Sequence, residues 1–148
     1  MFQSVLDIFK IGLGPSSSHT IGPMIAASNF LQKIKNSHFS PYSIKVSLHG
    51  SLAFTGKGHA TDKAIILGLS DFNLNEYNEQ NINKIVKSVI SLETIQPKDM
   101  EKLKFSPKND IIFDYEKQLT GHPNGMQFFA LDAQNDVLLT EIYYSVGG

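Results

Sequence analysis

The sequence contains no cysteine among its 148 residues. Without cysteine, this chain alone cannot form a disulfide scaffold, a thiolate nucleophile, a Cys-type zinc site or an iron–sulfur cluster. No apolar run approaches the roughly 18 residues that a membrane-spanning helix needs. The N-terminal residues lack the basic region of a signal peptide, and Asp7 stands where its apolar part would lie. We therefore expect a cytoplasmic protein with no membrane partner.

The chain also lacks an excess of either charge. Its 13 basic and 14 acidic residues give a net charge of −1, which provides no broad attraction for nucleic acid. Hydrophobic residues make up 41% of the chain and charged residues 18%, a composition typical of a folded core and not of a disordered tail. The length corresponds to about one domain.

Hydrophobic periodicity predicts three helices and four longer strands. Apolar residues recur at helical spacing over 24–34, 59–69 and 82–90, and Pro23 requires the first helix to begin between Ser18 and Thr20. Residues 42–49 alternate as in a half-buried strand, with Lys45, Ser47 and His49 facing away from the apolar side. Further strands are predicted at Ile111–Tyr115, Met126–Asp132 and Val137–Val146, the last two joined by a hairpin loop at 133–135. The predicted fold class is α/β (α+β), with helices packed on a mostly antiparallel sheet.

The first candidate site is a run of hydroxyl and imidazole side chains directly before the first helix. It consists of Ser16, Ser17, Ser18, His19 and Thr20. Because a helix N-terminus presents free N–H groups and a positive dipole end, such a run suits a carboxylate or a phosphate. The alternative is a glycine-rich turn with a redundant helix cap, since any one of the serines would cap the helix.

The second candidate site lies between Gly56 and Lys63. A P-loop is excluded there, because the glycine spacing is wrong and Gly58 follows Lys57 where Ser or Thr must stand. His59 and Asp62 are three residues apart at a helix start, so that the carboxylate can orient the imidazole as a general base. The alternative is that His59 caps the helix and Asp62 complements its dipole.

Two turns near the C-terminus provide further candidates. His122 and Asn124 project from a Pro and Asn-Gly turn at a strand edge, where ligand contacts are common. Ser145 precedes a Gly-Gly ending, which is unusual for a natural C-terminus and predicts a piece of a longer protein. The remaining histidines, His38 and His49, belong to no motif and are expected to be solvated.

Taken in order, these segments resemble the N-terminal (β) domain of the iron–sulfur-dependent bacterial L-serine dehydratases. The resemblance covers nearly the whole chain except its middle. It rests on six segments: 4–10, 14–24, 50–53, 55–64, 122–126 and 143–148.

The resemblance implies a reaction that converts L-serine to pyruvate and ammonia through aminoacrylate and imine intermediates. It implies a [4Fe–4S] cluster as a Lewis acid in the full enzyme, held by the cysteines of an α domain or α subunit. This chain departs from the complete enzyme because it has no cysteine, so the isolated chain is expected to be inactive. It also lacks the ACT-like extension of stand-alone β subunits, which favours a fragment of the single-chain type. The full enzyme is expected to be a homodimer.

The resemblance also assigns roles to the candidate residues. His59, oriented by Asp62, is expected to remove the Cα proton of L-serine, with Thr61 beside it. The residues expected to bind the substrate carboxylate and adjoining groups are Ser16, Ser17, Ser18, His19 and Thr20. The residues expected to complete the pocket wall are His122, Asn124 and Ser145.

The same family domain is similar to the anion-binding regulatory domain of some phosphoglycerate dehydrogenases. An alternative function is therefore a non-catalytic module that senses a small carboxylate. The His59–Asp62 pair and the Gly-Gly ending favour half of an active site. A Ser–His–Asp hydrolase is disfavoured, because Ser16–Ser18 follow no nucleophile-elbow pattern.

Overall fold

A computed structural model describes residues 21–56, 61–72, 78–116 and 124–145. The described helices are α1 (Ile21–Lys35), α2 (Ser51–Gly56), α3 (Thr61–Leu69), α4 (Glu79–Leu92) and α5 (Pro107–Asp110). The described strands are β1 (Ser43–His49), β2 (Thr94–Ile95), β3 (Leu103–Lys104), β4 (Ile111–Asp114), β5 (Gly125–Leu131) and β6 (Val137–Tyr144).

Helix α1 confirms the first predicted helix over 24–34. Its buried side chains follow the three- and four-residue spacing of one helical face, and Pro23 lies in the first turn. Lys33 and Lys35 occupy the last turn, where positive charge complements the helix dipole. The start predicted between Ser18 and Thr20 lies outside the described residues.

Helix α4 confirms the amphipathic helix predicted in the middle of the chain. Asn78 caps its N-terminus, because the side-chain oxygen accepts hydrogen bonds from the N–H groups of Gln80 at 2.8 Å and Asn81 at 3.4 Å. Glu93 ends the helix in the left-handed conformation, with φ of 55°. Ile82 and Val89 are the buried residues of the helix.

The strands form one six-stranded sheet with β1 at its centre. The hydrogen-bonded order is β2-β3-β1-β5-β6, and β4 also pairs with β1. Three of the five described pairings are antiparallel, whereas β1 pairs in parallel with β3 and with β4. Because β5 occupies one edge of β1, β3 and β4 follow each other along the other edge. The predicted class, a mixed α/β fold with a mostly antiparallel sheet, is confirmed.

The predicted hairpin between the last two strands is confirmed with a slightly longer loop. Strand β5 ends at Leu131 and β6 begins at Val137. The carboxylate of Asp132 closes the loop by accepting hydrogen bonds from the N–H groups of Gln134 and Asp136, both at 2.9 Å. Asn135 takes a positive φ of 67°, which asparagine tolerates better than most residues.

The main core lies between the helices and one face of the sheet. Ile44, Val46 and Leu48 of β1 are fully buried there. Phe30 of α1 stacks on Phe128 of β5, with ring centroids 5.3 Å apart. This face is the apolar side that the alternation of residues 42–49 predicts.

The opposite side of β1 differs from the prediction of a solvent-facing surface. Ser47 is only 9% exposed and His49 only 3%, whereas Lys45 is half-buried. The cause is the central place of β1, because Ser47 lies between Ile112 of β4 and Gln127 of β5. Neighbouring strands on both edges cover side chains that alternation alone would place in water.

Helices α1 and α3 pack closely and run in the same direction. A Cβ atom added at Gly68 of α3 would lie 2.6 Å from the backbone oxygen of Met24 and 2.7 Å from Cβ of Ala27, so glycine is what lets the two helices approach. Beyond these contacts, Lys35 at the end of α1 pairs with Asp71 just past the end of α3. Both helices therefore begin on the same side of the molecule.

None of the described helices is long and apolar enough to cross a membrane.

Candidate functional site

Four strand termini meet at one end of the sheet, which we call the site end. Strand β1 ends there at His49, opposite Asp114, the last residue of β4. Strand β5 begins there at Gly125, opposite Tyr144, the last residue of β6. The pairing of Leu48 with Met126 places these two sets of termini side by side.

Asn124 and Ser145, two predicted substrate-binding residues, are hydrogen-bonded to each other at the site end. The backbone N–H of Ser145 donates to the backbone oxygen of Asn124 at 2.9 Å. Ser145 is 3% exposed, and the side-chain oxygen Oδ1 of Asn124 is buried. The hydrogen bond continues the β5–β6 pairing beyond the strands and brings the two residues together.

The first turn of α1 touches Ser145. A Cβ atom added at Gly22 would lie 1.7 Å from Oγ of Ser145 and 2.7 Å from its Cβ, so glycine is required for this approach. The N-terminal end of α1, where the helix dipole is positive, is therefore at the site end. Because α3 runs parallel to α1, its N-terminus lies toward the same end.

Helix α3 begins with two predicted site residues, Thr61 and Asp62. Thr61 is fully buried, whereas Asp62 is exposed. The Asp62 carboxylate accepts a hydrogen bond from the N–H of Lys63 at 2.9 Å and stands in the first turn, where negative charge complements the helix dipole. The orientation of His59 by this carboxylate stays a prediction, since His59 lies outside the described residues.

Seven predicted site residues lie outside the described residues. They are Ser16, Ser17, Ser18, His19, Thr20, His59 and His122. The next described residues along the chain are Ile21 and Thr61, which begin α1 and α3, and Asn124, which directly precedes β5 at the site end. The chain therefore leads from each of the three predicted motifs into the same end of the sheet.

The sequence prediction missed a buried polar cluster at the site end. Oγ of Ser47 lies 2.8 Å from Nε2 of His49, and Nδ1 of His49 lies 3.8 Å from Oδ2 of Asp114. The expectation that His49 is solvated is wrong, since it is 3% exposed, whereas His38 is exposed as expected. The cluster depends on the parallel pairing of β1 with β4, and no local pattern in the sequence indicates that pairing.

The order of contacts in this cluster, serine to histidine to aspartate, is that of a hydrolase triad, but the geometry differs. The separation of 3.8 Å between His49 and Asp114 exceeds hydrogen-bond length. Ser47 is 9% exposed and lies within a strand between two neighbours, so it does not present its hydroxyl to a substrate. The cluster is therefore not arranged as a nucleophilic site.

The phenol of Tyr143 has a strongly raised pKa and lies beside the core. Burial, and secondarily the charge of Glu141, raise the pKa of Tyr143 to about 12. Its ring packs edge-on against Phe128 with centroids 5.7 Å apart, and its hydroxyl oxygen is buried without a hydrogen-bond partner among the described residues. The side chain is therefore a neutral phenol at any physiological pH.

Tyr143→Phe is expected to leave the free energy of unfolding unchanged or to raise it by up to about 1 kcal/mol, because it removes a buried hydroxyl that has no hydrogen-bond partner in the part of the chain that the structure describes. Since the folded pKa exceeds the ordinary tyrosine value of 10.0, the contribution of the neutral phenol to stability is complete below pH 10 and is lost as the pH rises toward 12. Urea unfolding at pH 7 and between pH 10 and pH 12 measures both effects, with Tyr115→Phe at an exposed tyrosine as the control. A marked loss of stability at pH 7 in Tyr143→Phe would show that the hydroxyl makes a stabilising hydrogen bond and would contradict this prediction.

The described residues contain no group of three or more His, Asp or Glu side chains that could hold a metal ion. The whole sequence contains no cysteine. The residues of this chain therefore do not fit an iron–sulfur cluster, whose irons are held by cysteine thiolates.

Comparison with known proteins covers almost the entire chain. Residues 4–148 match the family described as "Serine dehydratase beta chain". The chain is 41% identical to the L-serine dehydratase of Helicobacter pylori (strain ATCC 700392 / 26695) over 145 residues, 98% of this chain and 32% of that protein. It is 40% identical over 150 residues to the L-serine dehydratase of Streptomyces coelicolor, 100% of this chain and 33% of that protein. It is also 40% identical over 148 residues to L-serine dehydratase TdcG of Escherichia coli (strain K12), 98% of this chain and 32% of that protein.

The chain thus spans about a third of the length of the curated relatives it matches. The segments that carry the resemblance in the sequence fall within the matched residues 4–148. On this evidence, the chain belongs to the serine dehydratase beta chain family.

Proposed function

We propose that this chain forms the substrate-binding and proton-abstracting part of an L-serine dehydratase, which converts L-serine to pyruvate and ammonia. The observation that carries the proposal is the contact of Gly22, in the first turn of α1, with Ser145 at the site end. It joins the helix that follows the serine-rich segment to the Asn124–Ser145 pair. The relatives are named L-serine dehydratases, which supports L-serine as the substrate, and the products are those that the family resemblance implies.

The carboxylate of L-serine would bind at the N-terminus of α1. A helix N-terminus offers free N–H groups and a positive dipole end, both of which favour an anion. The hydroxyl and imidazole groups of the preceding residues would add hydrogen bonds to the same carboxylate. These residues are Ser16, Ser17, Ser18, His19 and Thr20.

His59 would remove the Cα proton of the bound L-serine. An ordinary histidine is largely neutral near pH 7 and can accept a proton there. Asp62 would orient the imidazole from the first turn of α3, beside the buried Thr61. His122, Asn124 and Ser145 would form the pocket wall.

Proton removal at Cα and departure of the β-hydroxyl give aminoacrylate. This product tautomerises to an imine, and water then releases pyruvate and ammonia. Because the residues of this chain do not fit the [4Fe–4S] cluster, the groups that assist departure of the hydroxyl are assigned to a cysteine-bearing α domain or subunit. We further propose that the full enzyme is a cytoplasmic homodimer in which residues 1–148 form one β domain.

The test is formation of pyruvate from L-serine by the full-length protein, followed with lactate dehydrogenase. We expect turnover by the full-length protein and none by the isolated chain. Calorimetric titration of the isolated chain with L-serine separates this proposal from a carboxylate sensor. Half of a shared site should bind L-serine weakly or not at all, whereas micromolar binding by the isolated chain, together with a full-length protein that forms no pyruvate, would establish the sensor.

Ser17→Ala in the full-length enzyme is expected to raise KM for L-serine by about tenfold or more, because it removes a hydrogen bond to a charged carboxylate. The value of kcat should change much less, since this interaction is present in both the bound substrate and the transition state. Steady-state kinetics measures both constants, with Ser88→Ala on the exposed side of α4 as the control. An unchanged KM in Ser17→Ala would count against carboxylate binding at that residue.

A further inference from the structure

The buried cluster of Ser47, His49 and Asp114 joins the ends of two strands. Ser47 and His49 lie two residues apart on the same side of β1, and their side chains meet at 2.8 Å. The other ring nitrogen of His49 faces the carboxylate of Asp114, the last residue of β4, at 3.8 Å. His49 and Asp114 are also register partners in the parallel pairing of β1 with β4.

Each strand end is followed along the chain by a segment that contains a predicted site residue. From His49 the chain passes through Gly50, in the left-handed conformation with φ of 59°, into α2 and then to the segment that contains His59. From Asp114 it continues to the segment that contains His122. The serine-rich segment differs, because it leads into α1, and the cluster includes no residue of that helix.

We propose that His49 is a positioning residue of the dehydratase site. By contacting Ser47 and Asp114, it fixes the ends of β1 and β4 relative to each other and thereby sets where His59 and His122 stand. It does not touch the substrate. This inference rests on the proposed function, since it needs His59 as the base.

The location of the cluster determines which kinetic constant should change. A buried polar side chain that has its hydrogen-bond partners fixes one local geometry, and loss of a partner permits others. A small displacement of a catalytic group lowers the rate of the chemical step strongly, because that step depends on near-attack geometry. Carboxylate binding at the start of α1 should be spared. Loss of His49 should therefore reduce kcat much more than it changes KM.

The decisive variant is His49→Phe in the full-length enzyme, compared with His49→Gln. Phenylalanine fills the space of the ring but presents no polar atom to Ser47 or to Asp114, and we expect kcat to fall by about tenfold while KM for L-serine changes by less than about twofold. Glutamine places a hydrogen-bonding atom near the position of Nε2, and we expect it to recover most of kcat. Thermal unfolding of each variant ensures that kinetics are measured on folded protein.

Ser47→Ala and Ser43→Ala form a matched pair that does not depend on the larger substitutions. Both serines lie on the same side of β1 and both are 9% exposed, but Ser43 stands at the opposite end of the strand. We expect Ser47→Ala to reduce kcat with little change in KM, and Ser43→Ala to leave both constants unchanged. This comparison decides the proposal if His49→Phe fails to fold.

The outcomes separate the two proposals. If the wild-type full-length protein forms no pyruvate from L-serine, the proposed function fails. If the wild-type protein is active and Ser47→Ala and folded His49→Phe lose only thermal stability, with kcat unchanged, His49 is merely structural and the positioning role is overturned. Equal losses of kcat in Ser47→Ala and Ser43→Ala would overturn the positioning role as well.

Discussion

His59→Ala in the full-length enzyme is expected to lower kcat for L-serine by about 10²–10⁴, the usual cost of losing a general base. His59 lies two residues before Thr61, the buried first residue of α3, and three before Asp62, whose carboxylate is proposed to orient it. KM should change less, because the carboxylate of the substrate is assigned to the start of α1. Steady-state kinetics of pyruvate formation at saturating L-serine measures the loss.

His38→Ala is the matched control for this experiment. His38 is an exposed histidine that follows the C-terminal end of α1, whereas the site end lies at the N-terminal end of that helix. We expect the kcat of His38→Ala to equal that of the wild type. Turnover near the wild-type value in His59→Ala would remove His59 from the role of base, and a similar loss in both variants would indicate a general effect of substitution.

The long elements of the fold could be predicted because their patterns extend over many residues. Helix α1 has buried residues over several turns, from Pro23 to Ile34, and α4 repeats such a pattern from Ile82 to Val89. The alternation in β1 gives its apolar face unambiguously, since Ile44, Val46 and Leu48 are all fully buried. In these elements local periodicity and tertiary packing agree.

The short elements could not be predicted, because their stability comes from their neighbours. Strands β2 and β3 have two residues each, and they pair with each other and, through β3, with Ser43 of β1. Helix α2 has only six residues, too few for a helical period to show. The parallel pairing of β1 with β4 joins residues more than sixty positions apart and has no local signal.

The site shows the same division between local pattern and long-range contact. The sequence indicates Asn124 and Ser145 as site candidates from their turns and the family resemblance, but their backbone hydrogen bond follows from the β5–β6 register. The prediction that His49 is solvated was wrong because alternation indicates the side of the strand on which a residue lies, but not whether neighbouring residues cover that side. The contact of Gly22 with Ser145 also depends on how a helix meets a sheet, which no spacing rule provides.

Gly22→Ala is expected to separate the start of α1 from Ser145, because the added Cβ would lie 1.7 Å from Oγ and 2.7 Å from Cβ of that serine. Overpacking of this kind lowers the free energy of unfolding by about 1–3 kcal/mol, although alanine is the better helix former. In the full-length enzyme we expect kcat/KM for L-serine to fall by about 10², since a shift of about 1 Å at a site can have that effect. Chemical unfolding and steady-state kinetics measure the two losses.

The double variant Gly22→Ala/Ser145→Gly tests whether the contact itself is the cause. Ser145→Gly removes both clashing atoms, so the stability loss of the double variant should be smaller than the sum of the two single losses by about 1 kcal/mol or more. Gly68→Ala provides the control, because its added Cβ would meet Met24 and Ala27 and not Ser145. Its effect on stability should add to that of Ser145→Gly. Strict additivity of the stability losses of Gly22→Ala and Ser145→Gly would mean that helix α1 does not contact Ser145. It would remove the observation on which the proposed carboxylate site depends.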